Sequence, residues 1–261
     1  MGYGYFVKRS SRIVAAFVYR FADIIAPVDS SLAKNLEHYL PFDICDKIVV
    51  LPTGYNPQKW SARSITKKRL VLTVGAVNWS NYLRKGFQTF IETARAMPTV
   101  RFVLVGKFAD SCADKLKEKG LPDNLELVGF VSDADLLRYY QQATVYCQLS
   151  KFEGLPNALC EAMLCECFPV GTHACGIPSA IGETGVYVRY GCVSDCVRAI
   201  KLALSLGKCS GARRRIINKF PQGGRKMGLV QIITGSKLKP EAVELGVLSH
   251  IERPSECEAL H

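Results

Sequence analysis

The chain of 261 residues predicts an α/β fold, a Rossmann-like parallel sheet flanked by helices. From residue 70 onward, short strand-like runs alternate with helical segments, the pattern of repeated βαβ units. The run Thr144-Val145-Tyr146-Cys147-Gln148-Leu149 is β-branched and aromatic and reads as a buried strand. Glycines follow two of the strand-like runs, Gly75 and Gly154, so both turns belong on the carboxyl edge of the sheet, where such sheets hold ligands.

In chain order, residues 1–60 hold a helix from about 5 to 20, a short strand at 22–26, a helix over 30–40 and a strand at 48–52. That is too little for a second complete domain. Strands then follow near 70–74, 100–105, 125–128, 144–149, 168–170 and 186–188. Helices are expected at 87–96, 112–119, 133–141, 157–165, 195–206, 213–219 and 224–233. The sheet domain is therefore placed at 61–234, after a leading segment of 1–60. Beyond Thr234 the chain is Lys- and Glu-rich without clear periodicity, and 235–261 reads as a loosely held tail.

A hydrophobic content of 48% is ample for a core and excludes a disordered chain. Eleven scattered cysteines with no visible signal peptide fit a reducing compartment, by default the cytoplasm, better than a disulfide framework. Cys165, Cys167, Cys192 and Cys196 lack the paired partner motif of a zinc site, and no metal site is expected. Lysine and arginine outnumber acids by 34 to 23, giving +11, but the charges are dispersed and no RNA-binding or zinc-finger pattern accompanies them. Nucleic acid is accordingly not expected as a partner. No apolar run is long enough to span a bilayer. The opening segment through Arg20 reads as a basic amphipathic helix, one that either packs on its own domain or lies on an anionic membrane face.

The densest chemistry lies in Phe152-Glu153-Gly154-Leu155-Pro156-Asn157-Ala158-Leu159-Cys160-Glu161-Ala162-Met163. Gly154 permits a tight turn, and Pro156 suits the first turn of a helix because its missing N–H would have no partner there. The open amides and positive dipole end of that helix favour phosphate. Two carboxylates also raise a glycoside hydrolase, whose pair stands roughly 5 to 9.5 Å apart. Eight residues of continuous helix would separate Glu153 and Glu161 by roughly 12 Å of rise and about 80° of rotation. A division of labour between the ends of one ligand fits this spacing better, although Glu153 lies in the turn and a hydrolase stays open on spacing alone.

This segment resembles the signature of family-4 retaining glycosyltransferases, which have the two-domain GT-B fold and carry two glutamates separated by seven residues. Neighbouring segments follow in the order of that family: Val50-Leu51-Pro52-Thr53-Gly54-Tyr55-Asn56, Val74-Gly75 with Arg84-Lys85-Gly86, Phe102-Val103-Leu104-Val105-Gly106, Leu127-Val128-Gly129-Phe130-Val131, and Phe168-Pro169-Val170 with Gly176-Ile177-Pro178. The resemblance implies the donor-binding half of such an enzyme, with residues 1–60 as the remnant of an amino-terminal domain and the linker.

By the same resemblance, Lys85, with Arg84, contacts the diphosphate of a nucleotide sugar, where departure of the leaving group builds negative charge. Glu161 accepts hydrogen bonds from the ribose hydroxyls. Glu153 stands near the transferred sugar and is, with Lys85, the catalytic candidate. Gly75 lines the donor turn, the amides of Gly154, Leu155, Pro156, Asn157 and Ala158 form the phosphate loop (Pro156 without an N–H), and Gly129, Phe130 and Val131 frame the base. Departures from the family pattern stand at Ala76, Ala174, Cys175 and Ser179. No cofactor beyond the donor substrate and no essential metal is implied. The implied partners are a nucleotide sugar, a saccharide or lipid-linked acceptor, and a partner chain if the acceptor domain is supplied separately. A nucleotide-sugar-binding module without turnover is the alternative.

Overall fold

In the computed structural model, which describes residues 9–62 and 65–235, six strands run in parallel: β1 (Lys68–Val74), β2 (Arg101–Val105), β3 (Leu125–Gly129), β4 (Ala143–Gln148), β5 (Phe168–Thr172) and β6 (Val186–Val188). Their spatial order is β3-β2-β1-β4-β5-β6. Register follows the apolar residues, with Val71 beside Phe102 and Val145, and Val145 beside Phe168. Both sheet faces are covered, as an all-parallel sheet requires. The predicted Rossmann-like class is therefore the observed one.

Successive side chains of a strand point to opposite faces, and here the alternation feeds two cores. Val71, Phe102, Leu104, Val145 and Cys147 bury themselves with residues of α4 (Phe87–Arg95), α5 (Cys112–Glu118) and α9 (Val193–Leu206). Phe90 and Phe102 meet edge to face there, ring centroids 5.2 Å apart. Elsewhere α6 (Asp133–Gln142) packs on β1, α7 (Asn157–Leu164) on β4 and β5, and α8 (Ile177–Ile181) on β5. Tyr140, Tyr146, Leu159 and Met163 are among the largest fully buried side chains. Tyr140 lies edge-on to Tyr146 and to Trp60.

Two short helices escape the sequence pattern, α8 and α3 (Trp79–Arg84), the latter starting where Asn78 Oδ1 accepts the Asn81 N–H at 2.7 Å. Six residues or fewer are too few for a hydrophobic period to be read, and the side-chain cap was the one local signal of α3.

The chain divides into two compact units, one of residues 55–217 and one of 1–54 with 218–261. The second holds α1 (Arg9–Phe21), α2 (Ser30–Tyr39) and α11 (Gly224–Thr234), while α10 (Ser210–Lys219) runs across the division. The strands expected at 22–26 and 48–52 do not form; a single parallel bridge joins Ile25 and Ile48. Beyond that bridge, the Leu51 N–H donates to Pro27 O at 2.8 Å, but the described residues form no ladder here. Ala16, Tyr19 and Ala22 pack against Ile25, Leu40 and Ile44, whereas Ile13, Phe17 and Phe21 are exposed. Helix α11 lies against Leu51 at Gly228, where an added Cβ would come 2.6 Å from Leu51 Cδ2. The tail expected beyond Gly235 and the start of the opening helix at 5–8 lie outside the described residues. Among those described, no helix is long and apolar enough to cross a membrane.

Candidate functional site

Strand order reverses between β1 and β4: from β1 the chain moves outward to β2 and β3, from β4 to β5 and β6. A crevice opens at such a switch point, outside the carboxyl ends of the two strands, and open α/β sheets bind ligands there. Gly75 directly follows β1, and the loop holding Glu153 and Gly154 follows β4. Lys85 joins them as the C-terminal cap of α3.

Two glycines make this convergence sterically possible. A Cβ on Gly75 would stand 2.8 Å from Lys85 Cδ and 3.0 Å from Cε, so the bare backbone leaves the lane through which the lysine stem runs. Gly86 holds a φ of +70°, and a Cβ there would fall 2.2 Å from the Leu149 carbonyl oxygen. The corner between α3 and α4 thus seats directly on the exit of β4. The Lys151 N–H, donating to Arg84 O at 2.8 Å, holds it in place.

Four donors converge on one oxygen of Glu153. Lys85 Nζ donates to Oε1 at 2.7 Å, Ser150 Oγ at 3.0 Å and Gln148 Nε2 at 3.3 Å, and Arg84 Nη1 forms an ion pair with it at 3.3 Å. Oε2 accepts none of them. Arg84 is oriented by Asn81 Oδ1, which accepts its Nη2 at 2.7 Å, and by the Phe152 carbonyl, which accepts Nη1 at 3.0 Å. Two cations beside one carboxylate leave a net positive charge in a partly desolvated crevice, an arrangement that attracts an anion.

Glu161 occupies a different setting, one α7 turn past Ala158. It accepts a hydrogen bond from the buried Tyr140 hydroxyl at 3.1 Å. Burial pushes its carboxyl up from 4.5 to about 7, a shift that the Tyr140 hydrogen bond and the charge of Lys59 partly oppose. Lys59 itself pairs with Asp133 at 2.8 Å over the ring of Trp60. Burial also raises the Tyr140 hydroxyl, which stays protonated and able to donate.

The loop from Gly154 to Ala158 is half anchored. Leu155 and Pro156 are buried, Gly154 and Ala158 are half-buried, and the exposed Asn157 accepts the Tyr55 hydroxyl at 2.9 Å through Oδ1. Pro156 caps α7, one position before the first turn, and no side chain caps the helix start, so its first amides stay open. Gly129 ends β3 with a φ of +79° and its carbonyl accepts the Gly106 N–H at 2.8 Å. Val131 is half-buried, and Phe130 projects to solvent at 80% exposure. The structure thus brings Arg84, Lys85 and Glu153 into one bonded cluster, with Gly75 beside the Lys85 stem. Glu161 has its own partners, and no hydrogen bond among the described residues joins the two glutamates.

Asn81, Gln148, Ser150 and Tyr140 belong to this machinery and were not legible in the sequence. Tyr140 meets Glu161 only because α6 and α7 lie side by side. Ser150 and Gln148 carried a faint signal, as polar residues ending an otherwise apolar run immediately before Glu153. No group of three or more His, Cys, Asp or Glu side chains among the described residues is arranged to hold a metal ion.

A Rossmann-like sheet with two cations beside a carboxylate at its switch point belongs to the class of open α/β proteins that hold ligands at that crevice. The chain belongs to the group 1 glycosyl transferases, whose family model matches residues 68–205, more than half of its length. No curated protein matches it significantly in sequence. Among solved structures it resembles sucrose-phosphate synthase from Thermosynechococcus elongatus, at 21% identity and a TM-score of 0.72, covering 88% of this chain and 63% of that one. A glycosyltransferase from Rickettsia africae is similar at 16% identity and a TM-score of 0.73, covering 88% of this chain and 69% of that one. Anabaena Alr3699/HepE, solved in complex with UDP and glucose, is similar at 15% identity and a TM-score of 0.75, covering 88% of this chain and 68% of its own. The chain thus spans about two thirds of the length of each, and slightly less of the synthase.

Proposed function

We propose that the chain binds a nucleotide diphosphate sugar at the β1–β4 switch point and acts as the donor-binding half of a retaining, family-4 hexosyltransferase. The convergence of Lys85 and Arg84 on Glu153 Oε1 carries this reading. When a diphosphate enters, the Lys85 ammonium exchanges its carboxylate for phosphate oxygens. Ser150 and Gln148 keep Glu153 in place, with Oε2 available to the sugar hydroxyls or to positive charge at the anomeric carbon. The open amides of Asn157 and Ala158 add donors to the phosphates, and ionised Glu161 accepts the ribose hydroxyls. An acceptor hydroxyl then attacks the anomeric carbon on the face from which the nucleoside diphosphate departs.

Lys85, Arg84 and the helix amides neutralise the leaving group, so transfer needs no essential metal and EDTA leaves it unchanged. The complexes of the Anabaena protein with UDP and UDP-glucose support a nucleotide sugar as ligand. All ten described cysteines are free, which fits a reducing compartment such as the cytoplasm. Calorimetric titration tests the assignment: Glu161→Ala weakens UDP and uridine alike, whereas Lys85→Ala weakens UDP about tenfold or more and uridine little. Unchanged affinities in both variants would sink it.

The chain spans 63% of the length of the synthase it resembles. A second reading is a nucleotide-sugar-binding module that does not turn over by itself. Product formation by the purified chain from a panel of sugar nucleotides would exclude this reading; binding without turnover would favour it.

A further inference from the structure

Beside the donor crevice, at the carboxyl ends of β5 and β6, lies a cavity of about 410 Å³ that the donor-binding scheme does not use. Its volume falls within the range of small-ligand sites. Its walls are aromatic. The ring of Tyr187 lies 5.0 Å from that of His173, and Tyr190 carries Lys151 Nζ at 6.0 Å from its centroid. Both tyrosine hydroxyls are engaged in backbone bonds, Tyr187 to Gly182 O at 2.9 Å and Tyr190 to Leu83 O at 2.5 Å. Those bonds fix the rings as faces rather than leaving them as hydroxyl donors.

The polar groups of this cavity are short of an acceptor. Asp195 is its one acid, and both carboxylate oxygens are taken: Oδ2 by Arg189 Nε at 2.7 Å, Oδ1 by Arg189 Nη2 at 3.1 Å and by Arg198. Arg189 Nη1, Lys151 Nζ and the two ring nitrogens of His173 make no hydrogen bond among the described residues. Surplus donors and uncompensated positive charge around aromatic faces suit one kind of ligand, a sugar bearing an anionic group: the pyranose C–H face stacks on a ring while the anion meets the cations.

We infer that this cavity binds an anionic sugar, carried as a phosphate or a carboxylate, through Lys151, Arg189 and His173 against the rings of Tyr187 and Tyr190. Two tethers join it to the donor crevice. Tyr190 holds the last turn of α3, which carries Arg84 and leads into Lys85, and Thr172 Oγ1 bonds the carbonyl of Ser150, whose own hydroxyl bonds Glu153. The binding claim is independent of the transferase reading.

Calorimetry on the full chain tests the binding, with glucose 6-phosphate, glucuronate, glucose and inorganic phosphate as probes and UDP reporting on the donor crevice. Glucose 6-phosphate or glucuronate should bind at least tenfold more tightly than glucose and than inorganic phosphate, with UDP present at saturation as well as absent. Lys151→Gln should weaken the anionic sugar about tenfold and leave UDP affinity within twofold. The relative strength of glucose 6-phosphate and glucuronate identifies the anion. Displacement of the sugar by UDP, equal binding of inorganic phosphate, or an unaffected Lys151→Gln would each overturn the inference. A chain that binds the anionic sugar but neither UDP nor any other nucleoside diphosphate would overturn the donor reading and leave this one standing.

Discussion

The stem of Lys85 passes through the space where Gly75 has no side chain, and its ammonium reaches Glu153 Oε1 at 2.7 Å. A residue at the end of β1 thereby controls whether a cation ten positions later reaches a carboxylate beyond β4. The first prediction follows from it. Gly75→Ala places a methyl 2.8 Å from Lys85 Cδ, which must swing away. Because the obstructed group is a flexible side chain, folding survives, with a cost of about 1 kcal/mol or less. UDP affinity falls about tenfold while uridine affinity changes little, as calorimetry would show.

Gly86→Ala should behave oppositely. Its φ of +70° disfavours a side chain, and the Cβ would meet the backbone oxygen of Leu149 at 2.2 Å, an atom that cannot rotate away. A loss of about 2–4 kcal/mol is expected in urea unfolding. A variant as stable as the parent would show that the corner of α3 and α4 is not seated on β4 as described.

Glu161 supplies a pH signature. Its carboxyl is raised from 4.5 to about 7 in the folded chain, mainly by burial. Between these values the folded chain binds a proton that the unfolded chain has lost, so this group makes stability fall as pH rises across the window and stay level above it. Glu161→Gln removes that slope: it should match the parent near pH 4 and exceed it above pH 7 by on the order of 1–3 kcal/mol. In the proposed role of Glu161, ribose recognition runs the other way, since only the ionised carboxylate accepts both hydroxyls. Uridine affinity should therefore rise from pH 5.5 to 8 in the parent and be flat in Glu161→Gln. Tyr140→Phe, which removes the donor that favours the ionised form, should move the midpoint of that rise to higher pH.

Glu153→Gln keeps an oxygen for Ser150 and Gln148 but removes the charge that faces Lys85 and Arg84. UDP affinity should hold or rise slightly, because Lys85 no longer leaves a carboxylate to meet phosphate. Turnover with the cognate donor should drop about a hundredfold or more. Equal turnover would remove Glu153 from the catalytic role.

The six strands from 68 to 188 were legible because a strand buried on both faces of a parallel sheet reads as a short, nearly continuous apolar run. The strands expected at 22–26 and 48–52 carried the same local signal and reduced to one bridge, since a strand needs a neighbour and propensity cannot supply one. Glu153, Glu161 and Lys85 stood out in the sequence by spacing and resemblance. Their environments did not: Glu161 is buried against Tyr140, twenty-one positions earlier, and Glu153 Oε1 meets Arg84 and Lys85 from the end of α3 and Gln148 and Ser150 from the end of β4.

By itself, then, the sequence determined an alternating α/β chain with glycines after its strands and two glutamates and a lysine in the order of the family signature. Tertiary structure decided the strand order that puts β1 beside β4, and with it the meeting of Lys85 with Glu153, sixty-eight positions apart. It also decided that Glu161 titrates near 7 and that surplus donors gather at the ends of β5 and β6. The physical reason is range: backbone propensity and hydrophobic period act over a few residues, whereas desolvation and charge pairing depend on which distant segments the sheet brings together.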